Sequence, residues 1–194
     1  MALRYGPAAA GLLGLLAAAC APSLGAYRFE RVDYVTREAI AAPEEFEPRT
    51  APYAAYLRVH FSSAANLHAL AEAREAIAAR ADLCPLDDPE GVTVLGPYAV
   101  GQSLAIRARM ADGAAAPGLA RVLERDENGR YTYTAYVVPA RADGEPAYDL
   151  LAEPADLCLR LEASGGRAGA ERSNVIVAPA EAIRRAAEEA VPSP

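Results

Sequence analysis

The chain has 194 residues, a length that suits one domain, and 53% of them are nominally hydrophobic. Of these, 47 are alanine, and Leu, Val, Ile and Phe together number only 40, a thin stock for a core and close to the composition at which charged chains fail to fold alone. All 19 basic residues are Arg, which excludes Schiff-base chemistry, pyridoxal phosphate and a phosphate-loop lysine, and a formal charge of −7 argues against nucleic acid as a partner.

The N-terminus reads as an address. Residues 1–19 carry a single charge, Arg4, and then an unbroken apolar run from Ala8 to Ala19, the n-region and h-region of an export signal. As a helix the run spans about 18 Å, short of the roughly 30 Å hydrocarbon core of a bilayer. Leu16-Ala-Ala-Ala-Cys20 resembles the lipobox of bacterial lipoproteins, although Ala17 stands where Leu is commonest. The resemblance covers about the first 20 residues and implies a diacylglyceryl group on Cys20, which becomes the mature N-terminus. Because Ala21, not Asp, follows the Cys, it further implies the outer membrane, facing the periplasm. The rival is ordinary cleavage after Gly25, with Ser23 at −3, giving a soluble periplasmic or secreted protein. Either cleavage leaves Cys84 and Cys158 as a pair, and in an oxidising compartment a disulfide is the expectation.

Residues 20–52 read as a lipidated N-terminus and tether, rich in Pro and charge. Within them Tyr27, Phe29, Val32, Tyr34 and Val35 offer one short strand that can dock on the domain. The folded domain is expected over 53–190. Ala55, Leu57, Val59 and Phe61 alternate with Tyr56, Arg58 and His60, the period of a half-buried strand with His60 on its wet face. Ser62, Ser63 and Asn66 lie ahead of an Ala-rich segment, Leu67 to Ala81, that predicts a helix. Asp87, Asp88 and Glu90 cluster around Pro89 and Gly91, which marks a turn rather than a calcium loop.

Strand patterns then follow at Val92 to Leu95, Gln102 to Met110, Leu119 to Arg125, Tyr131 to Val138, Asp156 to Ala163 and Asn174 to Ala178. Asn128-Gly129 predicts a tight hairpin turn. Leu157, Leu159 and Leu161 share one face of their strand, leaving Cys158 to point away from the main core. Ala180 onward predicts a C-terminal helix with Pro179 near its start, and 191–194 a tail. The fold class expected is mainly β: an antiparallel sandwich, immunoglobulin-like or similar, of about six to eight strands, with one short Ala-rich helix, a C-terminal helix and one disulfide.

Chemistry-bearing candidates are few. His60 and His68 flank Ser62 and Ser63, which suggests a hydrolase, but no GxSxG, HExxH or paired-His helix motif accompanies them. The Gly-rich stretch 164–169 carries Arg167, followed by Arg172 and Asn174, and offers an anion contact between two strands. Tyr136 shares a strand face with Thr132 and Thr134, and there displays a ring for a glycan or protein contact. The leading expectation is therefore a non-enzymatic binding or structural module with no cofactor or metal. Its partners are a lipid bilayer, through acylated Cys20, and an envelope protein or cell-wall component. The alternatives are the periplasmic hydrolase and a carbohydrate-binding module.

Overall fold

The computed structural model describes residues 24–42, 46–72, 76–85, 91–99, 125–141, 147–164 and 171–190. Among them the elements are β1 (Tyr27–Thr36), a 3-10 turn (Arg37–Ala39), α1 (Glu47–Thr50), β2 (Ala55–Ser63), α2 (Leu67–Glu72), β3 (Ala76–Leu83), β4 (Val94–Ala99), β5 (Tyr131–Val137), β6 (Ala140–Arg141), β7 (Tyr148–Asp149), β8 (Leu157–Ser164), β9 (Glu171–Arg172), β10 (Ile176–Ala178) and α3 (Ala180–Ala190). One antiparallel sheet runs β1-β2-β5-β4, and a second runs β10-β8-β3 with β9 added beside β8. The mainly β, sandwich-like class, the short helix, the C-terminal helix and the single disulfide are as the sequence predicts. The strand patterns at 102–110 and 119–124, the acidic turn at 87–90, the tail at 191–194 and the entire leader lie outside the described residues.

The two sheets face each other through their apolar sides. Leu57, Val59 and Phe61 of β2, with Tyr133, Ala135 and Val137 of β5, meet Leu157, Leu159 and Leu161 of β8, all with no exposed surface. Burying a side chain of that size is worth about 1.5–3 kcal/mol. Alanine contributes by fitting opposite a larger neighbour: Ile77 pairs Ala163, Ala79 pairs Leu161, and Ala81 pairs Leu159. Small-against-large pairing lets a chain with few large aliphatics fill the space between β3 and β8.

That pairing overturns one prediction. The helix expected over Leu67 to Ala81 is confined to α2, and residues 76–83 form β3, paired along its whole length with β8. Alanine favours helices intrinsically, but a mostly Ala stripe buries little area on a helix face, whereas the pairing with β8 places Ile77, Ala79 and Ala81 in the core. Packing overrides propensity here.

The stretch expected as a tether is also largely within the fold. β1 completes the edge of the first sheet, and its register shifts between Phe29 and Arg31, so Tyr27 and Phe29 face inward before the bulge and Val32 and Tyr34 after it. Beyond β1, Ile40 and Phe46 are buried against Tyr56, Tyr98, Tyr136 and Val138, forming a third cluster on the outer face of the same sheet. Leu24 itself is fully buried.

At the hairpin turn, Asp126 Oδ1 accepts the N–H groups of Asn128 (2.9 Å) and Arg130 (2.8 Å). Gly129 alone in that turn has a positive φ, 72°. The last strand leads through Pro179 into α3, whose first N–H, on Ala180, donates to Asp156 Oδ1 (2.8 Å). Ala182, Ile183 and Ala186 bury the inner stripe of α3 beside Val32 and Val59.

Candidate functional site

Two charged surfaces stand on the outer faces of the two sheets. The first lies on β1 and β2, where strand pairing sets Asp33 opposite Arg58, Arg31 opposite His60, and Arg28 opposite Ser62. Asp33 Oδ2 accepts from Arg58 Nη2 (2.9 Å) and from His60 Nε2 (2.8 Å), and Arg31 Nε lies 3.1 Å from Asp33 Oδ1. One strand step away, the Ser62 hydroxyl donates to Glu30 and accepts from Arg130 Nε (2.8 Å), while Arg130 Nη2 donates to the Ser62 carbonyl (2.7 Å).

The electrostatics follow from these contacts. Burial opposes the charge on Asp33, but the hydrogen bond from Arg58 and the pull of His60 and Arg31 outweigh it and hold the carboxyl below its ordinary range. The Ser62 hydroxyl does the same for Glu30, aided by Arg28. His60 is only 5% exposed, contrary to its expected place on a wet face. Arg31 Nη2 lies 3.4 Å from His60 Nε2, and desolvation followed by repulsion from Arg31 holds the imidazole below its ordinary value.

This arrangement separates the residues expected of a hydrolase. Ser62 and His60 share a face, yet the Ser62 hydroxyl is engaged by Glu30 and Arg130, and His60 by Asp33 and Arg31. Ser63 points to the opposite side, where its hydroxyl donates to the Ala26 carbonyl (2.8 Å) and accepts the Ala65 N–H (3.0 Å). His68 is the second residue of α2, and its side chain lies outside the described residues. Beside this face a cleft of about 300 Å³ runs between β1 and α3, with Phe29, Val32, Ala182 and Ala186 as its apolar lining and Arg31 and Arg185 among its charged lining.

The second surface occupies the outer side of β3, β8 and β9. Arg80 stands directly opposite Arg160, and Glu162 opposite Arg172. The Glu162 carboxylate accepts from Arg160 Nη2 (2.6 Å), with Arg172 Nε at 3.4 Å and Arg80 Nε at 3.8 Å. Three guanidiniums from three strands thus share one carboxylate. Asp82, on the same side of β3, is 9% exposed and accepts the Leu83 N–H. Val175 and Val177, the exposed large apolar side chains among the described residues, flank this surface on and just ahead of β10.

Of the predicted contact residues, Arg172 belongs to this second surface, and Arg167 lies outside the described residues. Asn174 works within the fold: its side chain accepts the Tyr27 N–H (2.7 Å) and donates to the Tyr27 carbonyl (2.8 Å), closing the start of the β1 edge as a neighbouring strand would. Tyr136 is not displayed. It is 6% exposed and packs edge-on against Phe46, Tyr56 and Tyr98, at 5.8, 5.7 and 5.6 Å between ring centres. The segment running through Phe46 covers the face that the strand pattern left to solvent.

Cys84, just beyond β3, and Cys158 on β8 form a disulfide, with Cα atoms 5.1 Å apart. Among the described residues no group of three or more His, Cys, Asp or Glu is placed to hold a metal ion, and no helix is long and apolar enough to cross a membrane. No family model matches the chain, and no curated protein or solved structure matches it either.

Proposed function

We propose that the chain is an exported lipoprotein of the bacterial envelope, a non-enzymatic binding module held to the outer membrane on its periplasmic side by acylated Cys20 and acting on an envelope protein or cell-wall component. The observation that carries this reading is the Cys84–Cys158 disulfide, since such bonds persist in oxidising compartments and are rare where cellular thiols are kept reduced. It agrees with the export signal read from residues 1–19 and the lipobox-like run ending at Cys20. The binding role is supported by the engagement of Ser62 and His60 in ion-pair and hydrogen-bond contacts that leave neither poised against the other. Burial of Tyr136 weighs against the glycan-binding alternative.

Metabolic labelling with a fatty acid tests the anchor. Label on the wild-type chain and none on Cys20→Ser is the expected result, and label retained by the variant refutes acylation at that sulfur.

A further inference from the structure

We propose that the outer face of β3, β8 and β9 rests on an anionic phospholipid surface, with Arg80 and Arg172 donating to headgroup phosphates and Val175 and Val177 meeting the glycerol level beside them. The proposal rests on the anchor at Cys20 for its geometry. Leu24 is buried in the core, and Tyr27 is fastened by Asn174, two residues from Arg172. Four residue steps separate Cys20 from Leu24, so an acylated sulfur lies at most about 14 Å of extended chain from the body. The end of the sandwich that carries Arg172 and Glu162 is therefore held close to the bilayer, not suspended on a long tether.

The chemistry of the face suits that position. Arg80 and Arg172 have side chains 47% and 58% exposed, and their only partner among the described residues is the Glu162 carboxylate, at 3.8 and 3.4 Å through Nε. Their Nη groups are thus available as paired donors of the kind that fit phosphate oxygens. Like charges facing each other across a strand pair, as Arg80 and Arg160 do, are destabilising unless an anion offsets them. Glu162 and the largely buried Asp82 offset two of the three charges, and a phosphate layer offsets the rest. In a chain of net charge −7 a locally basic face orients the molecule on an anionic surface. Val175 and Val177, 41% and 45% exposed, add apolar contact on the same side.

The chain contains no Trp, so Val177→Trp places a single reporter on this face, and Thr36→Trp places one at the far end of β1. The full chain carrying either substitution is reconstituted into phosphatidylcholine vesicles with and without phosphatidylglycerol. The expected result is a blue-shifted emission, quenched by brominated lipid, for Val177→Trp only with phosphatidylglycerol present and only at low salt. Adding Arg80→Gln and Arg172→Gln should weaken the preference for the anionic vesicles about thirtyfold, at roughly one decade or less per charge, with the Cys84–Cys158 bond intact by non-reducing mass as the check on folding. Emission that is the same in both vesicles, a shift equal at Thr36→Trp, or a shift untouched by the double Arg change overturns the proposal. A chain with no fatty-acid label that still shows the shift keeps this face and loses the anchor. A labelled chain without the shift loses the face alone.

Discussion

His60 carries the clearest single-residue consequence of the fold. Its imidazole is desolvated and faced by Arg31 and Arg58, with Asp33 as the one attractive partner, and the balance keeps it below the ordinary value of 6.5. As pH falls through that value the unfolded chain takes up a proton that the folded chain refuses. The unfolded state then binds more protons, and stability falls toward acid and recovers above it. Asp33 and Glu30, held below their ordinary carboxyl ranges, add stability that is present at neutral pH and lost only at lower pH. Urea midpoints measured from about pH 8 down to about pH 5 should fall for the wild type, and His60→Gln should flatten the curve around the ordinary imidazole range. An equal slope in the two proteins would show that His60 is not the source. Tyr136 gives a second test. Its ring is packed among three aromatics, so Tyr136→Ala should cost about 3–5 kcal/mol in urea unfolding. A loss under about 1 kcal/mol would mean that Phe46 does not seal that face.

At the level of elements, β5 and β8 are legible in the sequence because they alternate without interruption, and Leu157, Leu159 and Leu161 face inward as their spacing demands. β1 is half hidden, since the bulge between Phe29 and Arg31 changes which residues face inward partway along the strand. β3 is disguised by alanine: Ile77, Ala79 and Ala81 do alternate with outward Arg80 and Asp82, but in an Ala-rich segment the helix signal is equally strong. The charged surfaces were the least accessible. Asp33 meets Arg58 and His60, and Arg80 meets Glu162, only once strand register is known, and residues 25 or more apart in sequence carry no spacing signal for it. The cysteines were different, because the export signal read at the N-terminus leaves them as a pair without any knowledge of register. Their bond joins the end of β3 to β8 across 74 residues. In the chain-entropy model, Cys84→Ala with Cys158→Ala should lower unfolding free energy by about 4 kcal/mol, a large part of a typical total of about 5–15 kcal/mol. A change under about 1 kcal/mol would mean that the pairing of β3 with β8 alone holds this edge.

Taken as a whole, the molecule answers its lean composition in three ways. Alanines sit opposite large side chains between the sheets, an aromatic cluster seals the outer face of the first sheet, and a disulfide binds the second. The segment from Leu24 through Thr50, with the look of a tether in its charge and proline content, instead supplies an edge strand and that aromatic lid. Leu24, four residues after Cys20, is already buried in the core, so the anchor proposed at that sulfur places the Arg80–Arg172 face at the bilayer. The fatty-acid label on the wild-type chain, located by intact mass after extraction from the membrane, tests this account most directly. It predicts a chain that begins at Cys20, carries acyl groups there and lacks the two thiol hydrogens of Cys84 and Cys158. A mature chain that begins at Ala26 with no added acyl mass would contradict it.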